Sequence, residues 1–217
     1  FSLSVPRASY IAEAFAQFSR KITEGAEAEV FYRETNSIQT IKNVQKEDYR
    51  LGIIRFSEDN DRYYRSLMEE KELTGVLITE FRYVLLMRAD SPLAALETIT
   101  YDDLRRCMEI AHADPSVPSL PIEDGKKEDA CETPGRRIYV FERASQFSLL
   151  SENPDTFMWV SPVPKSMLDR YGLVERECAS DRGVYKDVFI HRKDYTLTPL
   201  DNAFIEHLIR VKRETIH

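Results

Sequence analysis

Apolar and polar residues alternate over residues 1–5, and this period of two predicts a β-strand. Ser9 is then placed to cap the start of a helix, and Gly25 stands where a left-handed residue would end it. Between them the apolar residues follow helical spacing, at Ile11, Ala14, Phe15, Phe18 and Ile22. The chain is therefore predicted to begin with a strand and an amphipathic helix.

The same order of elements follows directly. Residues 30–32 predict a second strand, and Ile38, Ile41 and Val44 mark one face of a second helix. Residues 51–54 form a continuous apolar run, which is typical of a parallel strand covered by helices on both faces. The succession of strand, helix, strand, helix and strand predicts a parallel α/β sheet.

The middle of the chain predicts a passage from one lobe to another. The polar segment 79–82 is too short to form a core element, and we expect it to be the first crossing between lobes. Thr100 and Asp103 form a capping box for a helix that continues through Met108. The other elements expected here are a helix at 61–71, strands at 76–78 and 83–87, and an exposed, proline-rich loop at 114–135.

A second α/β set is expected in the rest of the chain. The final helix has the clearest start, because Thr198, Pro199 and Asp201 supply an N-cap, an N1 proline and an N3 acid. Its buried stripe is predicted at Leu200, Phe204, Leu208 and Val211. The preceding elements are expected as strand 138–141, helix 144–150, strand 157–160, helix 165–171 closed by Gly172, and strand 184–190.

Charge and composition narrow the class of protein. The 217 residues carry a formal net charge of −7, whereas a surface that binds DNA by itself needs clustered Lys and Arg. The apolar runs are far shorter than the roughly 20 residues that span a bilayer, so no membrane segment is expected. Three widely separated cysteines favour neither a disulfide framework nor a thiolate metal cage, which suggests a reducing cytoplasm.

The first residue of the sequence and the absence of catalytic and metal-binding motifs lead to two further expectations. Phe1 is neither an initiator Met nor the start of a signal peptide, so we expect the sequence to be a fragment of a longer chain. The four histidines lack the spacing of a zinc site, and no Walker loop, dinucleotide glycine fingerprint or nucleophile elbow is present. The sequence therefore gives little support for catalysis, and we expect no catalytic residues, no metal and no cofactor.

Five segments share an order and spacing that extends over essentially the whole chain. They are VPRASYI at 5–11 with Phe15 and Phe18, ETNS at 34–37 followed by DYRLGI at 48–53, SPLA at 91–94, and the capped final helix after 192–194. Each segment is a pattern of common residues, and their succession carries the likeness. Together they resemble the regulatory domain of the LysR-type transcriptional regulators.

This resemblance implies an α/β fold of the periplasmic-binding-protein type 2, with two Rossmann-like lobes joined by a hinge of two crossing segments. Lobe I would comprise residues 1–81 plus 193–217 and lobe II residues 82–192, with crossings near 80–82 and 191–195. An effector cleft would lie between the lobes. The family places a winged helix-turn-helix before this domain, and DNA would be contacted only through that missing part.

The resemblance also implies partners and a compartment. A small, anionic metabolite is expected to bind in the cleft and to control DNA binding and transcription by allostery. Self-association as a dimer or tetramer, a cytoplasmic location and no contact with membranes are expected as well.

Strand-to-helix junctions hold the candidate binding residues, because parallel α/β sheets bind ligands outside the carboxyl ends of their strands. Ser9 stands at the first helix N-terminus, where unpaired N–H groups favour an anion, and Arg7 lies just before it. Thr35, Asn36 and Ser37 occupy the next junction. Simple helix capping is the alternative role for Ser9 and for these three residues.

Further candidates end other strands. Arg55 and Phe56 close the third strand, where Arg55 is able to pair bidentately with a carboxylate, and a solvated surface arginine is the alternative. In lobe II, Arg143 and Ser145 begin a helix and Ser161 follows a strand, so the same geometry makes them weaker candidates.

Two other classes of protein share such a fold. A solute receptor of a transporter would be exported and would carry a signal peptide, which the preceding gene sequence would reveal. An enzyme on this scaffold, such as a dehydratase, would need a catalytic pair in the cleft, and the sequence displays none.

Overall fold

The computed structural model of the chain describes residues 1–23, 29–112, 136–141, 143–179 and 183–216. The strands are β1 Ser2–Val5, β2 Phe31–Glu34, β3 Leu51–Ser57, β4 Leu73–Phe81, β5 Val84–Arg88, β6 Met108–His112, β7 Arg137–Val140, β8 Thr156–Val160, β9 Leu173–Arg176 and β10 Tyr185–Arg192. The α-helices are α1 Ser9–Thr23, α2 Ser37–Gln45, α3 Asp61–Glu70, α4 Tyr101–Leu104, α5 Arg143–Glu152, α6 Lys165–Tyr171 and α7 Pro199–Thr215, and a short 3₁₀ turn spans Glu58–Asn60.

The chain forms two compact units, each built on one five-stranded sheet. The first unit contains Phe1–Arg82, Ser161–Pro164 and Arg182–His217, and the second contains Tyr83–Val160 and Lys165–Asp181. The predicted α/β class with two lobes is therefore confirmed.

In the first unit the strand order is β2-β1-β3-β10-β4. Strand β1 runs parallel to β2 and to β3, which confirms the predicted parallel set. Strand β10 runs antiparallel to both β3 and β4, so this sheet is mixed and not wholly parallel. Because β1, β2 and β3 point the same way, their carboxyl ends meet at one edge of the sheet.

Helices cover both faces of this sheet. Helix α1 packs against α7, where the Phe18 and Phe204 rings lie 5.6 Å apart and both side chains are fully buried. Truncating either ring to alanine would cost about 3–5 kcal/mol of stability. On the other face, α2 and α3 enclose a core of Ile41, Val44, Ile54, Phe56, Tyr64, Met68, Leu73, Val188 and Ile190.

Gly52 allows α2 to lie close to strand β3. A Cβ atom at this position would stand 2.7 Å from Cγ2 of Thr40 and 2.9 Å from side-chain carbons of Val44 and Ile190. Glycine in a strand interior commonly marks such a close approach. The lack of a side chain at Gly52 therefore allows α2 to pack this closely on the sheet.

The second unit has the strand order β7-β6-β8-β5-β9. Strand β6 runs parallel to β7 and β8, while β5 is antiparallel to β8 and β9. Helix α5 connects β7 to β8 across the sheet, as α2 connects β2 to β3 in the first unit. Each unit thus holds three parallel strands with their carboxyl ends at one edge.

Several predicted ends of helices are confirmed. The Thr198 hydroxyl accepts a hydrogen bond from the Asp201 amide at 3.2 Å, and the Asp201 carboxylate accepts one from the Thr198 amide at 2.8 Å. The capping box of Thr100 and Asp103 is present too. Gly172 ends α6 with a φ of 63°, the left-handed conformation that glycine adopts without strain. The predicted loop at 114–135 and the predicted cap Gly25 lie outside the described residues.

The helix predicted through Met108 is wrong. Helix α4 ends at Leu104, and the amide of Met108 donates to the carbonyl of Asp155 at 2.8 Å, which brings the chain into the sheet as β6. A buried central strand carries apolar residues on both faces, so Cys107 and Met108 fitted the helical spacing by coincidence. The short strand β9, next to β5, was not predicted either.

The predicted second crossing is wrong as well. Strand β10 pairs over its length with β3 and β4, so it belongs to the first unit, and the boundary falls at Arg182 and not at residue 193. The prediction failed because it extended the second α/β set through the strand at 184–190, although that strand is antiparallel. The segment Ser161–Pro164, with the candidate Ser161, also groups with the first unit. At the first crossing, Thr79 is a buried residue of β4, so that crossing begins only after Phe81.

Among the helices in the described ranges, none combines the length and the apolar character needed to cross a membrane.

Candidate functional site

The carboxyl ends of β1, β2 and β3 form the edge where a ligand site is expected in the first unit. The chain leaves β1 to form β2 on one side and then returns to form β3 on the other side of β1. Such a reversal of strand order is the place where open α/β sheets bind their ligands. We name residues 5–9, 34–37 and 55–57 the first strand-end edge.

Helix α1 presents its N-terminus at this edge. Its first residue is Ser9, and the carbonyl of Ala8 accepts the hydrogen bond from the Ala12 amide at 3.1 Å. Ala8 and not Ser9 therefore holds the N-cap position, so the predicted capping role of Ser9 is wrong. Ser9 is buried in the first turn, which contains no acidic residue, and Arg7 is half-buried just before it. This arrangement suits an anion.

The second junction is tied to the first. The Thr35 amide donates to the Val5 carbonyl at 2.8 Å, so the chain after β2 lies against the end of β1. Asn36 is the N-cap of α2, since its side chain accepts from the Gln39 amide at 2.8 Å. The structure thus gives Asn36 the capping role that the sequence left as an alternative.

Ser37 connects α2 to β3. Its hydroxyl donates to the carbonyl of Arg55 at 2.6 Å and accepts from the amide of the same residue at 2.8 Å. Both bonds go to main-chain groups of Arg55, so the hydroxyl of Ser37 is used to hold the helix against the strand.

Arg55 forms a buried ion pair inside the protein. Its Nε and Nη2 atoms donate to the two carboxylate oxygens of Asp187, both at 2.7 Å, and the Asp187 side chain is fully buried. The guanidinium also lies 4.4 Å from the centre of the Phe81 ring. The bidentate geometry expected of Arg55 is present, but its carboxylate belongs to β10 and not to a ligand.

Tyr10 joins this ion pair from α1. Its hydroxyl donates to Asp187 at 2.6 Å, and the side chain is fully buried. Burial raises the pKa of Tyr10 well above its ordinary value, and the negative charge of Asp187 raises it further. The phenol therefore stays protonated, and Asp187 holds together the first turn of α1, β3 and β10.

Sequence reasoning missed both Tyr10 and Asp187. The available signal was an aspartate directly before the apolar run Val188, Phe189 and Ile190, where an unpaired charge would be costly. Such an aspartate requires a cationic partner, and nothing in the sequence pattern identifies Arg55 as that partner.

Phe56 belongs to the core. Its ring stacks on Tyr64 with centroids 4.5 Å apart, and only 4% of the residue is exposed. Phe56 therefore has a packing role in the core and does not belong to the candidate site.

A network of polar side chains is buried between β1 and α2. The hydroxyls of Ser4 and Thr40 are hydrogen-bonded at 3.0 Å, and Asn43 donates to Ser4 at 3.1 Å. Gln39 in turn donates to Asn43 at 2.7 Å. The polar groups of α2 that face the sheet are thus satisfied by β1 and by one another.

The second unit has an equivalent edge, the second strand-end edge, formed by His112, Val140, Val160 and the first turn of α5. Arg143 begins α5, with its guanidinium 5.6 Å from the centre of the Phe147 ring, and Ser145 is exposed. These two candidates therefore lie together on one helical turn. Ser161, only 3% exposed, follows β8 but groups with the first unit.

A half-open cavity of about 370 Å³ lies elsewhere in the first unit, beside α3 and β4. Its lining includes Phe56, Met68 and Leu77. On its rim, Lys186 lies 3.3–3.5 Å from the carboxylates of Glu58, Asp61 and Glu80. The lining contains three acidic residues, Asp61, Glu69 and Glu80, and three basic ones, Arg65, Lys186 and Lys193. This balance of charges does not favour an anion, so the first strand-end edge, with its helix N-terminus, remains the better candidate.

Within the described part of the chain, no group of three His, Cys, Asp or Glu residues is arranged to hold a metal ion.

The sequence matches no protein-family model, and no curated protein matches it. Solved structures do match. The effector-binding domain of QuiR in complex with shikimate is 17% identical, with a TM-score of 0.58, over 98% of this chain and 96% of that chain. The regulatory domain of MetR, a LysR family regulator from N. meningitidis, is 13% identical, with a TM-score of 0.61, over 100% of this chain and 95% of that one.

A third structure, the Synechocystis CcmR regulatory domain in complex with 2-PG, is 13% identical, with a TM-score of 0.58, over 97% of this chain and 96% of that chain. At sequence identities this low, the structural similarity establishes a shared fold and no more. The chain therefore has the two-lobe fold of the effector-binding domains of LysR-type regulators, which is the periplasmic-binding-protein type 2 fold expected from the sequence.

Proposed function

We propose that this chain is the effector-sensing domain of a LysR-type transcriptional regulator and that it binds a small, anionic metabolite. The observation that carries the proposal is the first strand-end edge, where the N-terminus of α1 lies at the reversal of strand order in a fold shared with such sensors. Two of the similar domains are in complex with shikimate and with 2-PG. Both are anions, which supports an anionic effector here.

The proposed site consists of Arg7, Ser9, Thr35 and Asn36. Backbone N–H groups in the first turn of α1 have no partner within the helix and supply donors together with a positive dipole end. Arg7 adds a positive charge, and the hydroxyls of Ser9 and Thr35 add neutral donors. Arg55 is not a ligand of the proposed site, because its guanidinium is paired with Asp187.

The effector signal is proposed to reach DNA through another part of the regulator, acting in the cytoplasm. Self-association is proposed to use the outer edges of the two sheets, where β2 and β7 are edge strands. Phe31 on β2 is 56% exposed and Tyr139 on β7 is 57% exposed, and exposed aromatic side chains on edge strands favour protein contacts.

Calorimetry with a panel of organic acids tests the proposed site. We expect one class of acid to bind, and Ser9→Ala and Thr35→Val each to weaken its binding roughly 3- to 10-fold, since each removes one hydrogen bond. Ser19→Ala serves as the control, because Ser19 is exposed and far along α1 from its N-terminus. Equal affinity in the parent protein and both site variants would remove the first strand-end edge as the effector site.

A further inference from the structure

Gln146 is a buried amide in the first turn of α5. The residue is 3% exposed, and its Oε1 atom has no hydrogen-bond partner among the described residues. Buried side-chain oxygens in folded proteins are nearly always hydrogen-bonded, so an exception points to a partner that binds from outside.

The register of the two sheets identifies the counterpart of Gln146 in the first unit. Helix α5 starts at Arg143 after β7 ends at Val140, and α2 starts at Ser37 after β2 ends at Glu34. The spacing is the same, so Gln146 in α5 corresponds to Thr40 in α2.

The strand beneath each helix differs at the matching position. Val140 pairs with His112 as Glu34 pairs with Val5, so Ala111 on β6 corresponds to Ser4 on β1. Thr40 is hydrogen-bonded to Ser4 at 3.0 Å, whereas the methyl group of Ala111 offers no hydrogen bond. The second unit thus keeps a polar group at this helix position without the strand partner that satisfies it in the first.

The position of Gln146 favours a ligand as its partner. Side chains on a helix lean toward its N-terminus, so Gln146 leans toward the carboxyl ends of β6, β7 and β8. That edge contains the reversal of strand order in the second sheet, since the chain forms β7 on one side of β6 and β8 on the other. Gln146 is therefore directed to the place where this fold binds small molecules.

The chemistry of the turn defines the ligand. An amide oxygen only accepts, so the ligand must donate. Arg143 and the N-terminal end of α5 make the turn positive, which disfavours an ammonium donor and favours an anion. We propose that the second strand-end edge binds a hydroxylated organic acid and that Gln146 accepts a hydrogen bond from a hydroxyl group of this ligand. This site lies in the second unit alone and goes beyond the site proposed in the first unit.

Calorimetry with matched pairs of acids tests this. Shikimate is compared with cyclohexenecarboxylate, malate with succinate, and lactate with propionate, on the parent protein and on Gln146→Leu. We expect the hydroxylated member of at least one pair to bind the parent roughly 3- to 10-fold more tightly, as one neutral hydrogen bond allows. In Gln146→Leu that preference is expected to vanish while the affinity for the deoxy acid is kept.

Control variants distinguish the site at Gln146 from the site proposed in the first unit. Thr40→Val, the counterpart variant in the first unit, is expected to keep the preference for the hydroxylated acid. Gln146→Met provides a second test if the leucine variant does not fold. No preference in the parent protein for any pair, or a preference that persists in the variants of Gln146, would overturn the inference. Acids that bind without such preference, and bind more weakly to Ser9→Ala, would leave the proposed function intact.

Discussion

The two units share a plan and differ in how they satisfy polar groups at their strand-end edges. In the first unit, Thr40 is bonded to Ser4, and Asp187 is enclosed by Arg55 and Tyr10. In the second unit, the position of Thr40 is taken by Gln146, whose Oε1 has no partner among the described residues. These buried side chains of the first unit thus satisfy one another, whereas the second unit retains a side-chain acceptor with no partner among the described residues.

The buried ion pairs differ in position as well. Asp187 and Arg55 lie toward the carboxyl end of β3, next to the first turn of α1. In the second unit, Glu109 and Arg137 pair at 2.6 Å near the start of β6 and β7, away from the strand-end edge. The ion pair of the first unit therefore stabilises the first strand-end edge, and a rigid edge suits a preorganised anion site.

Asp187→Ala is expected to have the largest effect. It removes the carboxylate that pairs with the Arg55 side chain, which is only 8% exposed, and breaking a buried ion pair in this way costs about 3–5 kcal/mol. Urea unfolding measures the loss. Glu109→Ala is the matched variant in the second unit, and its loss should be smaller because the Arg137 side chain is 24% exposed and reaches water. Equal losses would contradict the difference drawn between the two pairs.

Thr40→Val in α2 and Gln146→Leu in α5 compare the corresponding helix positions of the two units. Thr40→Val removes a satisfied hydroxyl and is expected to lower stability by about 1–2 kcal/mol. Gln146→Leu removes an acceptor with no partner in the described residues, and stability in the absence of ligand is expected to stay the same or to rise. Thermal unfolding of both variants checks this. A larger loss for Gln146→Leu than for Thr40→Val would show that the amide is already satisfied within the protein.

Alkaline pH gives a smaller and more gradual effect through Tyr10. Its pKa in the folded protein lies well above the ordinary value of 10.0, so the unfolded chain ionises first as the pH rises. The stability that Tyr10 contributes is complete below pH 10 and declines as the pH rises from there toward the folded pKa. Tyr10→Phe should flatten this decline by up to about 1.4 kcal/mol per pH unit. Unfolding free energies measured on both sides of pH 10 in the two proteins provide the test, and identical slopes would contradict the buried role of this phenol.

Much of the fold was predictable from the sequence because periodicity and end signals agree. The strand at 1–5, the apolar run at 51–54 and the capped helix at Thr198 each combine a clear period with suitable flanking residues, and the structure contains all three. Strand β6 was not predicted, because its first residue, Met108, also fits the helical spacing that follows Thr100. The direction of β10 was not predictable, since an apolar strand has the same composition whichever way it runs.

The site was predicted only in part. Fold geometry places Arg7, Ser9, Thr35 and Asn36 at one edge, as their positions after strands suggested. The roles of Ser37, Arg55 and Phe56 depend on partners far along the chain, and composition and spacing carry no information about such pairs. Gln146 is a clear example, because its likeness to Thr40 appears only once the strand register places Ala111 where the first unit has Ser4.

The most direct test of the proposed sensor is a nuclear magnetic resonance titration of this domain with the acid selected by calorimetry. If the first strand-end edge binds the anion, the largest saturable shifts will occur at the amides of residues 7–9 and 35–36, where the first turn of α1 meets the end of β2. Shifts confined to the cavity beside α3, or the absence of any saturable shift, would contradict the account.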